Sequence, residues 1–210
     1  MQDARYNAAT GMVVFTTNHF STYAVAYNKV SFADVASGAW YADAVTFLAA
    51  RGITSGTTAT AFGPDATLTR GHFITLLLRA CGVAAVTNPA DNFSDAGSTY
   101  YTGYLAAAKT LGITTGVGSN RFAPEQAITR QEMFTLLYNA LKALDKLPSG
   151  TSGKTLADFT DASDIASWAQ GTMAALVKAG TVTGSGGKLN PAGTTTRAEM
   201  AQVLYNLLGK

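Results

Sequence analysis

Three arginines stand at the same place in three copies of one short motif. The copies are Thr69-Arg70-Gly71-His72, Thr129-Arg130-Gln131-Glu132 and Thr196-Arg197-Ala198-Glu199. A Thr three residues before a Glu is the signature of a helix start: the Thr side chain caps the helix, and the Glu reaches back to the backbone of the Thr. The second and third copies carry this capping box. In the first, His72 replaces the Glu and the box is incomplete. The Arg falls at the first helical position, where the helix dipole is positive and a cation is disfavoured by about 0.3–1 kcal/mol. A choice made three times against that gradient needs a reason, and two remain open. Arg beside free backbone N–H groups can hold an anion, most specifically a planar carboxylate. Alternatively, each Arg pairs with a nearby aspartate such as Asp34 or Asp95.

Other residue types with chemical potential recur in step. Trp40, Tyr100 and Trp168 precede the first helix of each copy. Aromatic faces can stack on sugar rings, although core positions are the more common use, by about two to one. Asp34, Asp95 and Asp161 either cap that helix or line a site. Gly56, Gly116 and Gly184 either permit a turn or let a ligand approach the backbone. His19 and His72 have no metal-ligand partner at useful spacing. Cys81, the single cysteine, lies among Leu76, Leu77 and Leu78 and reads as a small buried hydrophobe. Asp161 and Asp164 have the look of a glycosidase pair but read as helix-entry residues. Without a nucleophile–base pair, a phosphate loop or a carboxylate cluster, the expectation is no enzyme, no metal and no cofactor.

These residues are positioned by an internal repeat of roughly 50 to 60 residues. Phe32-Ala33-Asp34 recurs as Phe93-Ser94-Asp95 and Phe159-Thr160-Asp161. After the aromatic comes a helical stretch ending on Gly52, Gly112 or Gly180, then the second glycine four residues on. A loop follows with Phe62-Gly63-Pro64, Phe122-Ala123-Pro124 or Leu189-Asn190-Pro191, and last the Thr-Arg helix. Val45, Leu48 and Ala49 share one helical face in the first copy, as do Met133, Leu136, Leu137 and Ala140 in the second. Gly52 fits a left-handed helix cap. A pair of short helices cannot bury its own apolar stripe, so the three copies are expected to pack into one body.

The expected organisation is therefore repeat one over 29–84, repeat two over 90–146 and repeat three over 156–210. Two linkers separate them, the second a Gly/Ser/Pro-rich stretch from Pro148 to Gly153. Residues 1–28 differ. Val13–Thr17 and Tyr23–Tyr27 read as strands of a hairpin turning at Asn18–Ser21, the remnant of a preceding β-domain. The opening Met1–Arg5 lacks the apolar core of a secretory signal, which fits either a cytosolic chain or an internal piece of a longer one. Charged residues make up 13%, about half the usual share, and the net charge is +2. Nucleic-acid binding, which needs a basic stripe, is not expected, and no apolar run approaches the roughly 18 residues of a membrane span. A neutral, hydroxyl-rich surface suits sugars.

The order Phe-x-Asp, aromatic, helix, Gly-Ile-x-x-Gly, Phe-x-Pro, Thr-Arg-x-Glu resembles the S-layer homology domain family, over residues 30–208. The stretch Thr16–Tyr23 resembles the end of the β-domain that often precedes such repeats in Gram-positive surface proteins. The resemblance implies a mainly α fold: three helix-loop-helix repeats in a pseudo-threefold, three-pronged bundle, with a short N-terminal β-hairpin segment. It implies non-covalent anchoring outside the cell, at the cell wall or S-layer surface. The partner would be secondary cell-wall polysaccharide, gripped in inter-repeat grooves, often by a pyruvate ketal on N-acetylmannosamine. Self-association in a surface layer is a further implied partner. The family's main anion contact maps onto Arg70, Arg130 and Arg197; Trp40, Tyr100, Trp168, Gly56, Gly116 and Gly184 map onto the groove, with Asp34, Asp95 and Asp161 beside it. On this reading, replacing the three arginines by Ala abolishes glycan binding and leaves the fold intact. The alternative is a protein–protein module for lattice assembly. Three departures stand out: His72 for Glu, Leu189 for the loop Phe, and Gly180-Thr181-Val182 for Gly-Ile.

Overall fold

The computed structural model describes residues 5–7, 10, 12–17, 19, 21–22 and 30–208. Two short strands open it. β1 (Arg5–Asn7) pairs antiparallel with β2 (Met12–Val14). The strand expected over 13–17 is thus present in part, but its partner lies upstream. The second expected strand, Tyr23–Tyr27, lies outside the described residues.

Six α-helices follow among the described residues, two per repeat: α1 (Ala42–Ala50) and α2 (Arg70–Ala80), α3 (Thr102–Thr110) and α4 (Arg130–Ala143), α5 (Ser167–Lys178) and α6 (Arg197–Leu208). The first helix of each repeat ends as its glycine demands. Gly52, Gly112 and Gly180 adopt φ of +69°, +66° and +74°. At each one, its own N–H and that of the next residue turn back to the last-turn carbonyls, as with Gly52 to Ala49 and Ile53 to Leu48. The two apolar stripes read from the sequence are buried without exception.

Helices of one repeat are not each other's main partners. α2 packs on α3, α4 on α5, and α6 returns to α1, so each prong joins the second helix of one repeat to the first helix of the next. This cyclic exchange closes the three repeats into one body. Its hub is made by the segments leading into α2, α4 and α6. Leu68 N–H donates to Thr195 O at 2.9 Å, Thr195 N–H to Ile128 O at 3.3 Å, and Ile128 N–H to Leu68 O at 3.0 Å. The three residues occupy equivalent places and are fully buried. Two are aliphatic, whereas Thr195 brings a hydroxyl that no acceptor or donor in the structure meets. The linkers are tied down too. Val86 N–H reaches Gly103 O, and the Ser152 side chain and backbone cap the end of α5 through Val177 O and Lys178 O.

Candidate functional site

The helix starts follow the capping pattern. Thr129 and Glu132 form a full capping box. Thr196 and Glu199 do the same through Thr196 N–H to Glu199 Oε2 at 2.8 Å and Glu199 N–H to Thr196 Oγ1 at 3.2 Å. Thr69 accepts from His72 N–H at 3.2 Å, but nothing returns the bond. The expectation of free N–H groups beside the arginines is overturned. The N–H groups of Arg70, Arg130 and Arg197 donate to Gln126, Gly193 and Ala66 carbonyls. The next N–H of each helix donates to Pro124, Pro191 or Pro64. Cyclic closure consumes the donors that an anion at the helix start would need.

The arginine side chains cross to the neighbouring repeat. Arg70 Nε donates to Phe122 O at 2.9 Å, Arg130 Nε to Leu189 O at 2.9 Å, and Arg197 Nε to Phe62 O at 2.8 Å. Arg70 and Arg197 lie 4.7 Å over the rings of Phe122 and Phe62. Where Leu189 replaces the loop Phe, Arg130 sits instead over Phe134, at 5.5 Å. Each guanidinium therefore stitches two repeats together, so replacing all three by Ala would test folding as much as binding.

The aspartates hold those same loops. Asp34 accepts from Phe62 and Gly63 N–H, Asp95 from Phe122 and Ala123, and Asp161 from Leu189 and Asn190, at 2.7–2.9 Å for the best bonds. The Phe62 and Gly63 N–H groups hold the Asp34 carboxyl below the usual carboxylate range. For Asp95 burial pushes upward, but the Phe122 and Ala123 bonds outweigh it. None of the three aspartates hydrogen-bonds the repeated arginines; Asp95 instead meets Arg121 at 3.4 Å. Gly56, Gly116 and Gly184 have positive φ, and a Cβ on each would strike the ring of Phe32, Phe93 or Phe159. The close approach they permit is to the opening Phe of the repeat.

The arginines find their acids elsewhere. Arg70 Nη1 binds Glu132 Oε1 at 2.8 Å, and Arg130 Nη1 binds Glu199 Oε1 at 3.4 Å. Each acid is the capping-box Glu of the following repeat. By the same rotation Arg197 should meet the residue at position 72, which is His. Arg197 is only 3% exposed, and no acceptor reaches its Nη2. It forms part of the wall of a groove of about 400 Å³, with Gly56, His72, Thr75, Arg79 and Tyr100. All three repeats contribute: the glycine turn and His72 from the first, Tyr100 from the second, Arg197 from the third.

Of the two places the sequence leaves open for the aromatics, core or groove, the core is not the one they take. Trp40, Tyr100 and Trp168 are 62%, 51% and 56% exposed. In the second repeat the core aromatic of the pair is the next residue, Tyr101, whose hydroxyl donates to Glu125 at 2.5 Å. The Tyr100 ring stacks on His72, with centroids 5.3 Å apart and planes 27° apart. Burial, then Arg197, holds the His72 imidazole below its ordinary pKa, against a weaker pull from Glu125. Burial and the nearby Glu125 push the Tyr100 phenol up to about 12. At neutral pH the groove thus presents a neutral stacked pair and a fixed buried cation. Burial pushes the Cys81 thiol up, away from thiolate chemistry.

Helical repeats closed in a ring, with a buried arginine and an exposed aromatic ring flanking a cleft between repeats, define a binding module. The profile of the S-layer homology domain matches residues 31–74, 92–134 and 158–201, and the chain belongs to that family. It is 34% identical over 208 residues to an amylopullulanase of Thermoanaerobacterium thermosulfurigenes, covering 98% of this chain and 11% of that protein. It is 32% identical to an exoglucanase of Acetivibrio thermocellus, covering 87% and 16%, and 28% identical to an S-layer protein of Bacillus anthracis, covering 83% and 20%. The chain therefore spans a tenth to a fifth of the length of these curated relatives. Domains of this family are cell-wall anchoring modules of surface-layer and other cell-surface proteins, which places this one outside the cell, in association with the wall. No helix among the described residues is long and apolar enough to cross a membrane.

Proposed function

We propose that this chain anchors its parent protein by binding secondary cell-wall polysaccharide in the inter-repeat grooves, and that it carries no catalysis of its own. The recognised feature is an anionic substituent, of which a pyruvate ketal on N-acetylmannosamine is the foremost candidate, with the sugar ring packed on the exposed aromatic. The observation that carries the reading is Arg197. A guanidinium with no carboxylate in the wall around it, lining a groove beside an exposed Tyr100, suits a carboxylate at the edge of a sugar. Trp40 and Trp168 supply the corresponding exposed faces in the other two repeats. Catalytic activity, where the parent has any, resides in other parts of it.

Co-sedimentation with protein-free wall sacculi tests this. The chain should pellet with intact sacculi and stay in solution when the secondary polysaccharide has been stripped from the peptidoglycan. Equal binding to stripped sacculi would overturn the reading. Self-association without any binding to sacculi would favour the lattice-assembly alternative.

A further inference from the structure

The three seams of the ring can be compared bond for bond. Each is spanned by three backbone amides. Between repeats one and two, Ile128 N–H donates to Leu68 O, Arg70 N–H to Gln126 O and Gly71 N–H to Pro124 O. Between repeats two and three, Thr195 donates to Ile128, Arg130 to Gly193 and Gln131 to Pro191. Between repeats three and one, Leu68 donates to Thr195, Arg197 to Ala66 and Ala198 to Pro64. The bond from each arginine Nε to a loop carbonyl is also common to all three. The remaining side chains treat the seams differently. The first seam adds Arg70 on Glu132, and Arg79 Nε on the Tyr104 hydroxyl at 3.0 Å. The second adds Arg130 on Glu199, the Thr135 and Thr172 hydroxyls at 3.1 Å, and Ala166 N–H on Gln131 Oε1 at 2.9 Å. At the third, His72 stands where the acid would be. This seam instead holds both buried side-chain polar atoms that lack a partner among the described residues, Thr195 Oγ1 and Arg197 Nη2. The chain runs from repeat one to repeat three only through repeat two, so no linker crosses it either. Apolar packing of α6 on α1 holds it, with Phe47 edge-on to Tyr205 at 5.0 Å between centroids.

We infer that the seam between repeats three and one is a joint, which opens while the other two stay closed, and that a ligand in the groove across it holds it shut. A buried polar group without a partner is better off in water than in the closed seam. Opening here relieves two such groups. Opening at either other seam breaks a guanidinium–carboxylate pair. The groove connects the joint to binding. Its wall takes Gly56 and His72 from repeat one and Arg197 from repeat three, so it exists only while the joint is shut. A ligand that binds the closed form alone favours closure by mass action. The clamp rests on the anchoring reading; the joint does not.

Native-state hydrogen exchange of the intact chain in low urea reads the nine seam amides one by one. Two relieved groups, each equivalent to about a tenfold factor, should leave Leu68, Arg197 and Ala198 about a hundredfold less protected than the other six. Their exchange should share one shallow urea dependence, the mark of a local opening. Nine equally protected amides would overturn the joint. Two variants at the joint should close it. His72→Glu gives Arg197 an acid and completes a capping box, and Thr195→Val removes the unmet hydroxyl. Each should raise the Leu68 set about tenfold. Glu132→Gln keeps a capping residue but weakens the first seam. It should lower Arg70, Gly71 and Ile128 about tenfold and leave the Leu68 set where it was. A fall of all nine together would show a single global opening and overturn the joint. Soluble wall polysaccharide released from sacculi tests the clamp. At about ten times its Kd it should raise the Leu68 set about tenfold. Polysaccharide that binds and leaves that set unchanged would overturn the clamp. A chain that binds neither sacculi nor the released polymer would instead refute the anchoring reading, and the free-chain comparison would still decide the joint.

Discussion

The starts of α2 and α4 differ by one functional residue and by much of their physics. At α4, Glu132 closes the capping box on Thr129 and also receives Arg70 from the preceding repeat, so one carboxylate serves a helix end and an inter-repeat seam. At α2, His72 does neither. Of the capping box only the Thr69 bond remains, and Arg197 arrives at the seam without an acid to meet. The lesson is that the capping-box Glu is the neutralising partner of the groove arginine. Losing it weakens a helix start and opens a cation in the same step.

The largest expected consequence separates two equivalent arginines. Arg70→Ala removes a carbonyl bond and leaves Glu132 half-paired, and should cost about 3 kcal/mol in urea unfolding. Arg197→Ala removes the same carbonyl bond but also a buried donor that nothing satisfies, and should cost only about 1 kcal/mol. Equal losses would break the comparison.

A smaller effect follows from the imidazole. Burial first, then Arg197, lowers the folded pKa of His72 below 6.5; Glu125 opposes, and Arg79 and Tyr100 also line its groove. Below 6.5 the unfolded chain therefore binds more protons than the folded one. The resulting contribution to stability is complete above 6.5 and is lost as pH falls through the folded pKa. Urea midpoints at pH 7.5 and 5.5 should drop more for the unaltered chain than for His72→Gln. An identical drop in both would remove His72 from the pH response.

Much of this was legible in the sequence. The landmark order located all six helices, the glycine caps and both capping boxes, because those depend on residues a few positions apart. The role of His72 as a departure was visible too. What the sequence did not carry was which repeat each side chain would meet. Arg70 reaches Glu132 and Arg197 reaches Phe62 across 62 and 135 positions, and only the cyclic exchange of helices brings them together. For the same reason aspartates looked like partners for the arginines, although they hold the loops that receive them. Trp40, Tyr100 and Trp168 looked apolar enough for the core. In the second repeat the aromatic pair splits: Tyr101 is buried, and Tyr100 is left on the groove wall.

The direct test of the central claim is to measure the unfolding free energy and the wall-polysaccharide affinity of one variant, His72→Glu. The exchange installs both a cap and a counter-charge for Arg197, so stability should rise by about 1 kcal/mol while affinity falls about tenfold. Stability and affinity rising together, or affinity unchanged in a stabilised protein, would contradict the assignment of Arg197 as the cation that holds the wall polymer.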